Sequence, residues 1–343
     1  MQALVTGGTG FVGSHLIERL VADGMKVRAL IRREADRPGM TTLGADAVIG
    51  NLDDAESLKQ ACVGVDVVYH AAARVEIVGS ESDFMRTTVE GTQRLCDAAA
   101  AANVKRFVYV SSCGVYHPKL LNSGIVIDEA TPTPQPPRWF MYGRTKLLAE
   151  EVVRTSMPAS VEWTVIRLGY LYGPRNRTMH TYLAPVFREG IARIIGTGDN
   201  EMAMVYVCDA VKAIALAGTR PAAKNQILIA GGDEVVTQQI YFDALADGFG
   251  LPRVKRVPYG LAFFAGWIGE YIAIGTRRMV MRRAAVALTG LPQRINCKRT
   301  QEILNWKPTT RFADGLRRAF EWYDETYGRM AAHPPSATPS PVS

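Results

Sequence analysis

Cysteine is scarce and scattered. Five thiols in 343 residues (Cys62, Cys96, Cys113, Cys208 and Cys297) form no CxxC pair. That argues against a disulfide scaffold or a metal site and points to a reducing compartment. Long hydrophobic runs are missing too: no stretch of about 18 uninterrupted apolar residues is present to span a bilayer. The chain enters an apolar run at once, without the charged head and small-residue cleavage site of a secretory signal. A cytoplasmic protein, at most peripheral at a membrane surface, is the expectation. Glycine has no period and charged residues make up only 21% of the chain, which excludes collagenous, coiled-coil and disordered classes. With 48% hydrophobic residues, 343 residues suit one large domain or two unequal ones.

The net charge of +7 is unevenly placed: residues 251–330 hold 15 Lys/Arg against 6 Asp/Glu, so the rest of the chain is close to neutral. Such a patch suits nucleic acid, an anionic membrane, an acidic substrate or simply a solvated basic surface. No zinc finger, RNP motif or convincing helix-turn-helix accompanies it, so nucleic acid is not expected as a partner.

Apolar runs and helical spacings alternate along the first half. Residues 3–5, 27–31, 65–70, 107–110 and 163–166 read as strands, and 14–22 and 92–102 as helices. This alternation predicts a doubly wound parallel sheet covered on both faces, an α/β architecture. Beyond about residue 175 the pattern becomes irregular. The expected division is a dinucleotide-binding domain over 1–174 and a mainly substrate-binding region over 175–330, with segments near 203–217 returning to the first domain. A Pro/Ser-rich tail over 331–343 reads as disordered.

Thr6-Gly7-Gly8-Thr9-Gly10-Phe11-Val12-Gly13 follows a strand, opens a helix and leads to a second strand. A turn without β-carbons lets backbone amides approach a pyrophosphate, and the helix N-terminus favours its charge. An NAD site usually places Asp or Glu about 20 residues after the glycines. The second strand here ends Ile31-Arg32-Arg33. A guanidinium holds a 2′-phosphate where a carboxylate would repel it, so NADP(H) is preferred, with Arg32 the first choice for the contact and Arg33 the second. NAD(H) stays open, since Glu34 reaches a ribose if the loop folds back. Tyr142-Gly143-Arg144-Thr145-Lys146 puts a phenol and an ammonium at i and i+4, on one helical face. A phenol with a pKa of about 10 is a poor base until a nearby cation stabilises its anion. Ser111 and Ser112, at the end of the 107–110 strand, offer a hydroxyl to the same reacting oxygen.

Together these segments resemble the extended short-chain dehydrogenase/reductases, most closely their 3β-hydroxysteroid dehydrogenase and dihydroflavonol reductase branch. The resemblance covers roughly residues 1–328 through VTGGTGFVG (5–13), VVYHAAA (67–73), VEGT (89–92), FVYVSSCGVY (107–116), YGRTK (142–146), IRLGYLYGP (166–174), VYVCDAV (205–211) and NWKPTT with GLRRAFEWY (305–323). It implies that Gly7, Gly10, Phe11, Val12 and Gly13 line the pyrophosphate, that Asn51 and Leu52 flank the adenine, and that Ala71, Ala72 and Ala73 lie along the cofactor. Tyr142 becomes the proton donor or acceptor, Lys146 holds the ribose and tunes Tyr142, and Ser112 orients the substrate oxygen. Ser112 is preferred to Ser111 because it stands four residues before Tyr116, the family's offset. Thr88 replaces the Asn of the family's NVxGT segment, which puts a water-held proton relay in question. Leu168 stands where a Pro usually follows the strand arginine, and Asn51 where Asp is more common.

Related sugar-nucleotide dehydratases carry acidic residues beside the catalytic hydroxyl, whereas this chain has Cys113-Gly114. Epimerases hold a diphosphate with Asn and Arg at positions that correspond here to Tyr170 and Met202, unless Arg175 or Arg188 serves instead. An apolar substrate is therefore expected. The apolar run 260–274, broken by Glu270 and followed by Arg277, Arg278, Arg282 and Arg283, reads as a pocket cover, a dimer contact or an interfacial helix, so peripheral membrane contact through 260–283 and a homodimer are both left open. The expected protein is an NADP(H)-preferring oxidoreductase interconverting an alcohol and a ketone on a bulky apolar molecule of steroid or sterol type. A sugar-nucleotide 4-epimerase and a non-catalytic NADP sensor are the alternatives, and no metal is expected.

Overall fold

The computed structural model describes residues 1–74, 80–272 and 282–329. The expected tail over 331–343 and the basic pair Arg277 and Arg278 lie outside the described residues.

Seven parallel strands form the central sheet. In chain order the first six are β1 (Gln2–Thr6), β2 (Lys26–Ile31), β3 (Asp46–Ile49), β4 (Val67–His70), β5 (Arg106–Ser112) and β6 (Glu162–Leu168); the seventh is Gln226–Ala230. Across the sheet they run Gln226–Ala230, β6, β5, β4, β1, β2, β3. The order reverses between β1 and β4, and at such a switch point the loops at the carboxyl ends part to leave a crevice.

The strands are apolar on both faces because both are covered. Alternate side chains go to opposite layers. Ala3, Val5, Val67, Tyr69, Val108, Val110, Ile166 and Leu168 face helices Phe11–Ala22 and Val207–Thr219. Leu4, Val68, Phe107, Tyr109 and Val165 face Ala55–Cys62, Gly91–Ala101 and Met141–Ser156. The Val207–Thr219 helix is tied down from the C-terminal end of the chain. Trp306 Nε1 donates to the Asp209 carbonyl (3.0 Å), and the Asp209 carboxylate accepts from Thr309 Oγ1 (3.1 Å) and Thr310 N–H (2.9 Å). The sheet thus draws a strand and a covering helix from within 175–330, the stretch whose pattern looked irregular.

A second core assembles beside the sheet from Tyr172, Met179, Leu183, Phe187, Met202, Tyr241, Phe242, Phe249, Phe312 and Tyr323, among others. Three short strand pairs frame it: Tyr170–Tyr172 with Met204–Tyr206, Glu201–Met202 with Val236–Thr237, and Arg193–Ile195 with Lys255–Val257.

Candidate active site

The glycine turn lies at the switch point. Gly7 adopts φ +74°, a left-handed conformation that a side chain disfavours. Gly10 N–H donates to the Gly7 carbonyl at 2.9 Å. A β-carbon on Gly13 would stand 2.1 Å from that carbonyl oxygen, so helix Phe11–Ala22 can start against the turn only because residue 13 has none. Gly10 supplies no side-chain cap, and the first-turn amides of Phe11, Val12 and Gly13 lack intrahelical partners. A glycine-lined cradle ending in unpartnered amides fits a pyrophosphate.

Other expected cofactor residues are spread around this cradle. Ala71, Ala72 and Ala73 follow β4, and the Ala72 N–H donates to Thr6 Oγ1 at 3.2 Å. Asn51 is exposed just after β3 and accepts from Asp53 N–H at 2.6 Å; Leu52 is buried, and its carbonyl accepts from Arg94 at 3.2 Å. Arg32 and Arg33 are both exposed after β2. Arg33 is engaged by Asp36 (2.7 Å), while Glu34 is held by Arg37, whose guanidinium also bonds the Ala47 carbonyl. Arg32 acts on Asp36 only through its charge.

Beneath the cradle runs a polar chain that sequence reasoning missed. Thr92 Oγ1 donates to the Thr88 carbonyl (2.5 Å) and so accepts from His70 Nε2 (3.0 Å); Thr6 Oγ1 then donates to His70 Nδ1 (2.7 Å). The network assigns the proton to Nε2. Burial, helped by the Lys146 charge, lowers the imidazole to about 3, so it stays neutral. Thr88, where the family has Asn, accepts Arg74 N–H on its hydroxyl at 3.4 Å.

The catalytic candidates meet where β5 ends against the helix Met141–Ser156. Ser112 Oγ accepts the Gly114 N–H at 3.0 Å, which leaves its own proton available to the Tyr142 phenol on the other side of Gly114. The approach depends on glycine: a β-carbon on Gly143 would lie 2.0 Å from the Gly114 carbonyl oxygen. Lys146 is buried one turn on. Its Nζ donates to the Val110 carbonyl at 2.6 Å and sits 4.6 Å from the Tyr109 ring centroid. Burial lowers the ammonium to about 7, with the Glu150 carboxylate opposing. Burial pushes the Tyr142 phenol above its ordinary range, and the Ser112 hydroxyl pulls it back. In this arrangement the charge of Lys146 is engaged by the Val110 carbonyl and the Tyr109 ring, and the Ser112 hydroxyl is the neighbour that favours phenolate.

Ser111 is occupied elsewhere. Its Oγ donates to Glu150 Oε1 (2.5 Å) in a buried cluster where Arg167 grips Glu150 (Nη2–Oε2 2.6 Å, Nε–Oε1 3.0 Å) and donates to the Tyr116 hydroxyl (2.9 Å). Burial works against the Arg167 charge, but Glu150 more than offsets this and raises the guanidinium. Two signals were available in the sequence. Glu150 continues the i, i+4 face of Tyr142 and Lys146, and an arginine inside the apolar run of β6 requires a buried acidic partner.

The match to a family model, NAD dependent epimerase/dehydratase family, runs over residues 3–231. The chain belongs to that family. It is an oxidoreductase of the extended short-chain dehydrogenase/reductase type. Among its relatives is a 4-hydroxy-2-methyl-3-oxo-4-farnesyl-3,4-dihydroquinoline-1-oxide ketoreductase of Stigmatella aurantiaca, 28% identical over 323 residues, covering 92% of this chain and 95% of the relative. A decarboxylating sterol-4-alpha-carboxylate 3-dehydrogenase of Dictyostelium discoideum is 29% identical over 251 residues, 71% of this chain and 75% of the relative. Among solved structures, a double mutant of DesIV, a dTDP-glucose 4,6-dehydratase from Streptomyces venezuelae with NAD and DAU bound, is similar at TM-score 0.74 and 25% identity, covering 96% of this chain and 98% of that one.

In this extended short-chain dehydrogenase/reductase the flank beyond Ser112 is apolar. Cys113 is buried, and burial pushes its thiol well above the ordinary range, so it offers no acid. Tyr170 packs edge-on against Tyr241 (5.8 Å), and Met202 is buried in the second core. Arg175 reaches back to Glu18 with two guanidinium bonds (2.5 and 2.9 Å).

Proposed function

We propose that this protein is an NADP(H)-preferring dehydrogenase/reductase that interconverts a secondary alcohol and a ketone on a bulky apolar molecule of sterol or steroid size. The observation that carries the reading is the placing of Ser112 Oγ and the Tyr142 ring together beside Gly114, with Lys146 buried one turn on and Cys113-Gly114, not an acid, following Ser112 in the chain. A bound nicotinamide dinucleotide supplies or accepts the hydride. In oxidation, Tyr142 as phenolate takes the hydroxyl proton while Ser112 donates to the substrate oxygen, and the hydride leaves the same carbon. In reduction, Tyr142 O–H returns its proton to the oxygen that becomes alkoxide, and Ser112 stabilises the developing charge. Lys146, on the same helical face as Tyr142, would hold the cofactor's ribose.

Support for the apolar substrate comes from Tyr170 and Met202, neither of which can neutralise a diphosphate, and from Arg175, which Glu18 already engages. The two relatives act, by their names, on a farnesylated ketone and a sterol carboxylate. If the substrate carries a carboxylate β to the new ketone, that group leaves as carbon dioxide. Support for NADP(H) comes from Arg32 and from the pairing of Glu34 with Arg37.

A screen of 3β-hydroxysteroids, 4-carboxysterols and 2-alkyl-3-oxo acids with each of NADP(H) and NAD(H), read by the ultraviolet absorbance of reduced nicotinamide, tests the reading. Turnover of an apolar substrate with the phosphorylated cofactor is expected. Inversion of a UDP-sugar without net absorbance change would replace it with an epimerase. Tight cofactor binding with no turnover of any substrate would replace it with a sensor.

A further inference from the structure

The helix Tyr259–Ile272 is attached by one face and open on the other. Its attached face is made of small residues. A β-carbon on Gly266 would come within 2.8 Å of Arg283 N, so the Arg283–Gly290 helix approaches where glycine leaves room. Glu270 fixes the contact: it accepts the Arg283 backbone N–H (2.9 Å), Nε (2.9 Å) and Nη2 (2.6 Å). The Arg283 guanidinium lies 5.4 Å from the Trp139 ring centroid, and Trp139 in turn meets Phe263 edge-on at 5.4 Å.

The open face carries Leu261, Phe264, Trp267, Ile268, Tyr271 and Ile272, between 38% and 70% exposed. At 3.6 residues per turn these six fall within about 140° of arc, a continuous apolar stripe. The surroundings are basic. Among the described residues of 251–290, Arg283 neutralises the single acid Glu270 and Arg253 is taken up by Asp243 and Asp247, which leaves Lys255, Arg256 and Arg282 as cations without an ion pair. Lys255 and Arg256 are exposed on the strand just before the helix, and Arg282 follows it among the described residues.

We infer that this face docks on an anionic lipid bilayer. An apolar stripe with aromatic residues and flanking cations suits the boundary between acyl chains and anionic headgroups. The charge argues against a second copy, since a two-fold contact would bring the same basic stretch against itself. It is not matched by the chain's own terminus either, because residues 333–343 contain one large apolar residue, Val342. The inner face of the same helix contributes Tyr259 to a cluster with Cys113, Val115, Trp139 and Leu147. One element would therefore meet the bilayer and share a cluster with Cys113, the chain neighbour of Ser112, which would give a membrane-dissolved substrate a short way in. Docking stands on the surface alone; only its use for substrate entry rests on the function proposed above.

Flotation of the full chain with vesicles tests it. Binding is expected to vesicles of equal parts phosphatidylglycerol and phosphatidylcholine, at least tenfold weaker to phosphatidylcholine alone, and reduced by high salt. The double variant Phe264→Ser/Trp267→Ser is expected to bind about a hundredfold more weakly, because two large apolar anchors are lost. Lys255→Glu is expected to weaken binding about tenfold. Trp267 emission should shift to the blue with vesicles, and Trp267→Phe should remove the shift. No binding by the folded wild type, equal affinity for neutral vesicles, or equal binding by the double variant would overturn docking. So would a wild-type dimer that the double variant abolishes while vesicles bind neither. Tyr142→Phe should float like wild type, so failed catalysis and failed docking read out separately.

Discussion

The floor of the candidate active site and the helix Tyr259–Ile272 are built on opposite principles. On the floor, polar groups are buried and specifically partnered: Ser111 by Glu150, Glu150 by Arg167, Arg167 by Tyr116, Thr6 by His70, His70 by Thr92. On the helix, the contacts are small residues and rings with one ion pair among the described residues, Glu270 to Arg283, and a row of apolar side chains is left open. Buried polar networks fix atoms in place but tolerate no missing member, whereas apolar packing adapts to volume. The proposed acid–base chemistry would need the first property, and recognition of the proposed apolar substrate only the second.

The largest contrast should come from Tyr142→Phe. Loss of one positioned acid–base group removes about 10²–10⁴ in rate. Turnover is expected to fall about a thousandfold while cofactor binding, measured by fluorescence titration, stays within about threefold. Turnover within tenfold of wild type would place the chemistry elsewhere. Stability should divide along the same line. Arg167→Met strands the Glu150 carboxylate in the interior, at about 3–5 kcal/mol of destabilisation by denaturant titration. Phe264→Ser, on the open face, should stay within about 0.5 kcal/mol. Similar losses for the two would erase the distinction.

Much of this was legible in the sequence, for reasons that differ by element. β1, β2, β4, β5 and β6 are apolar runs between polar breaks, and each was readable within a few residues of its ends. β3 escaped because Asp46–Ile49 is a half-exposed edge strand of four residues. The seventh strand, Gln226–Ala230, is as apolar as the others but lies far from its neighbour β6, in a stretch where the alternation had lapsed. Glycines and the Tyr142/Lys146 spacing report local geometry, which a sequence carries. His70 and Thr92 meet only because β4 and the Gly91–Ala101 helix pack together, and no local pattern announces that. The direction of the Tyr142 shift was likewise invisible, since it depends on burial and on which partner Lys146 selects.

Lys146 sharpens the comparison through pH. Its ammonium titrates at about 7 in the folded protein and at 10.5 when unperturbed. Between those values the unfolded chain holds a proton that the folded protein lacks, so stability rises as pH climbs from 7 toward 10.5, and the full penalty of burying the charge applies below 7. Lys146→Met removes that penalty. The variant is expected to be more stable than wild type near pH 7, by on the order of a few kcal/mol, with the gap closing toward pH 10. A gap that does not change with pH would mean the ammonium is not the source.

The smallest expected effect is in the exposed loop after β2, where the proposed reading places the cofactor's ribose phosphate. Arg33, Glu34, Asp36 and Arg37 are all taken up in local ion pairs, and among the described residues of this loop Arg32 is the cation without one, the group that the proposed NADP(H) preference assigns to a 2′-phosphate. Exposure limits what such a contact contributes, to about 1.5–3 kcal/mol for a hydrogen bond to a charged group. Arg32→Glu replaces that attraction with repulsion and offers a carboxylate to a ribose hydroxyl. The ratio of kcat/KM with NADP(H) to that with NAD(H) is expected to fall about ten- to a hundredfold, with Tm unchanged because the side chain is exposed. Glu34→Gln should leave the ratio within about twofold, since Arg37 already holds that carboxylate. If Glu34→Gln moves the ratio and Arg32→Glu does not, the loop turns Glu34 to the ribose, and the preference belongs to NAD(H).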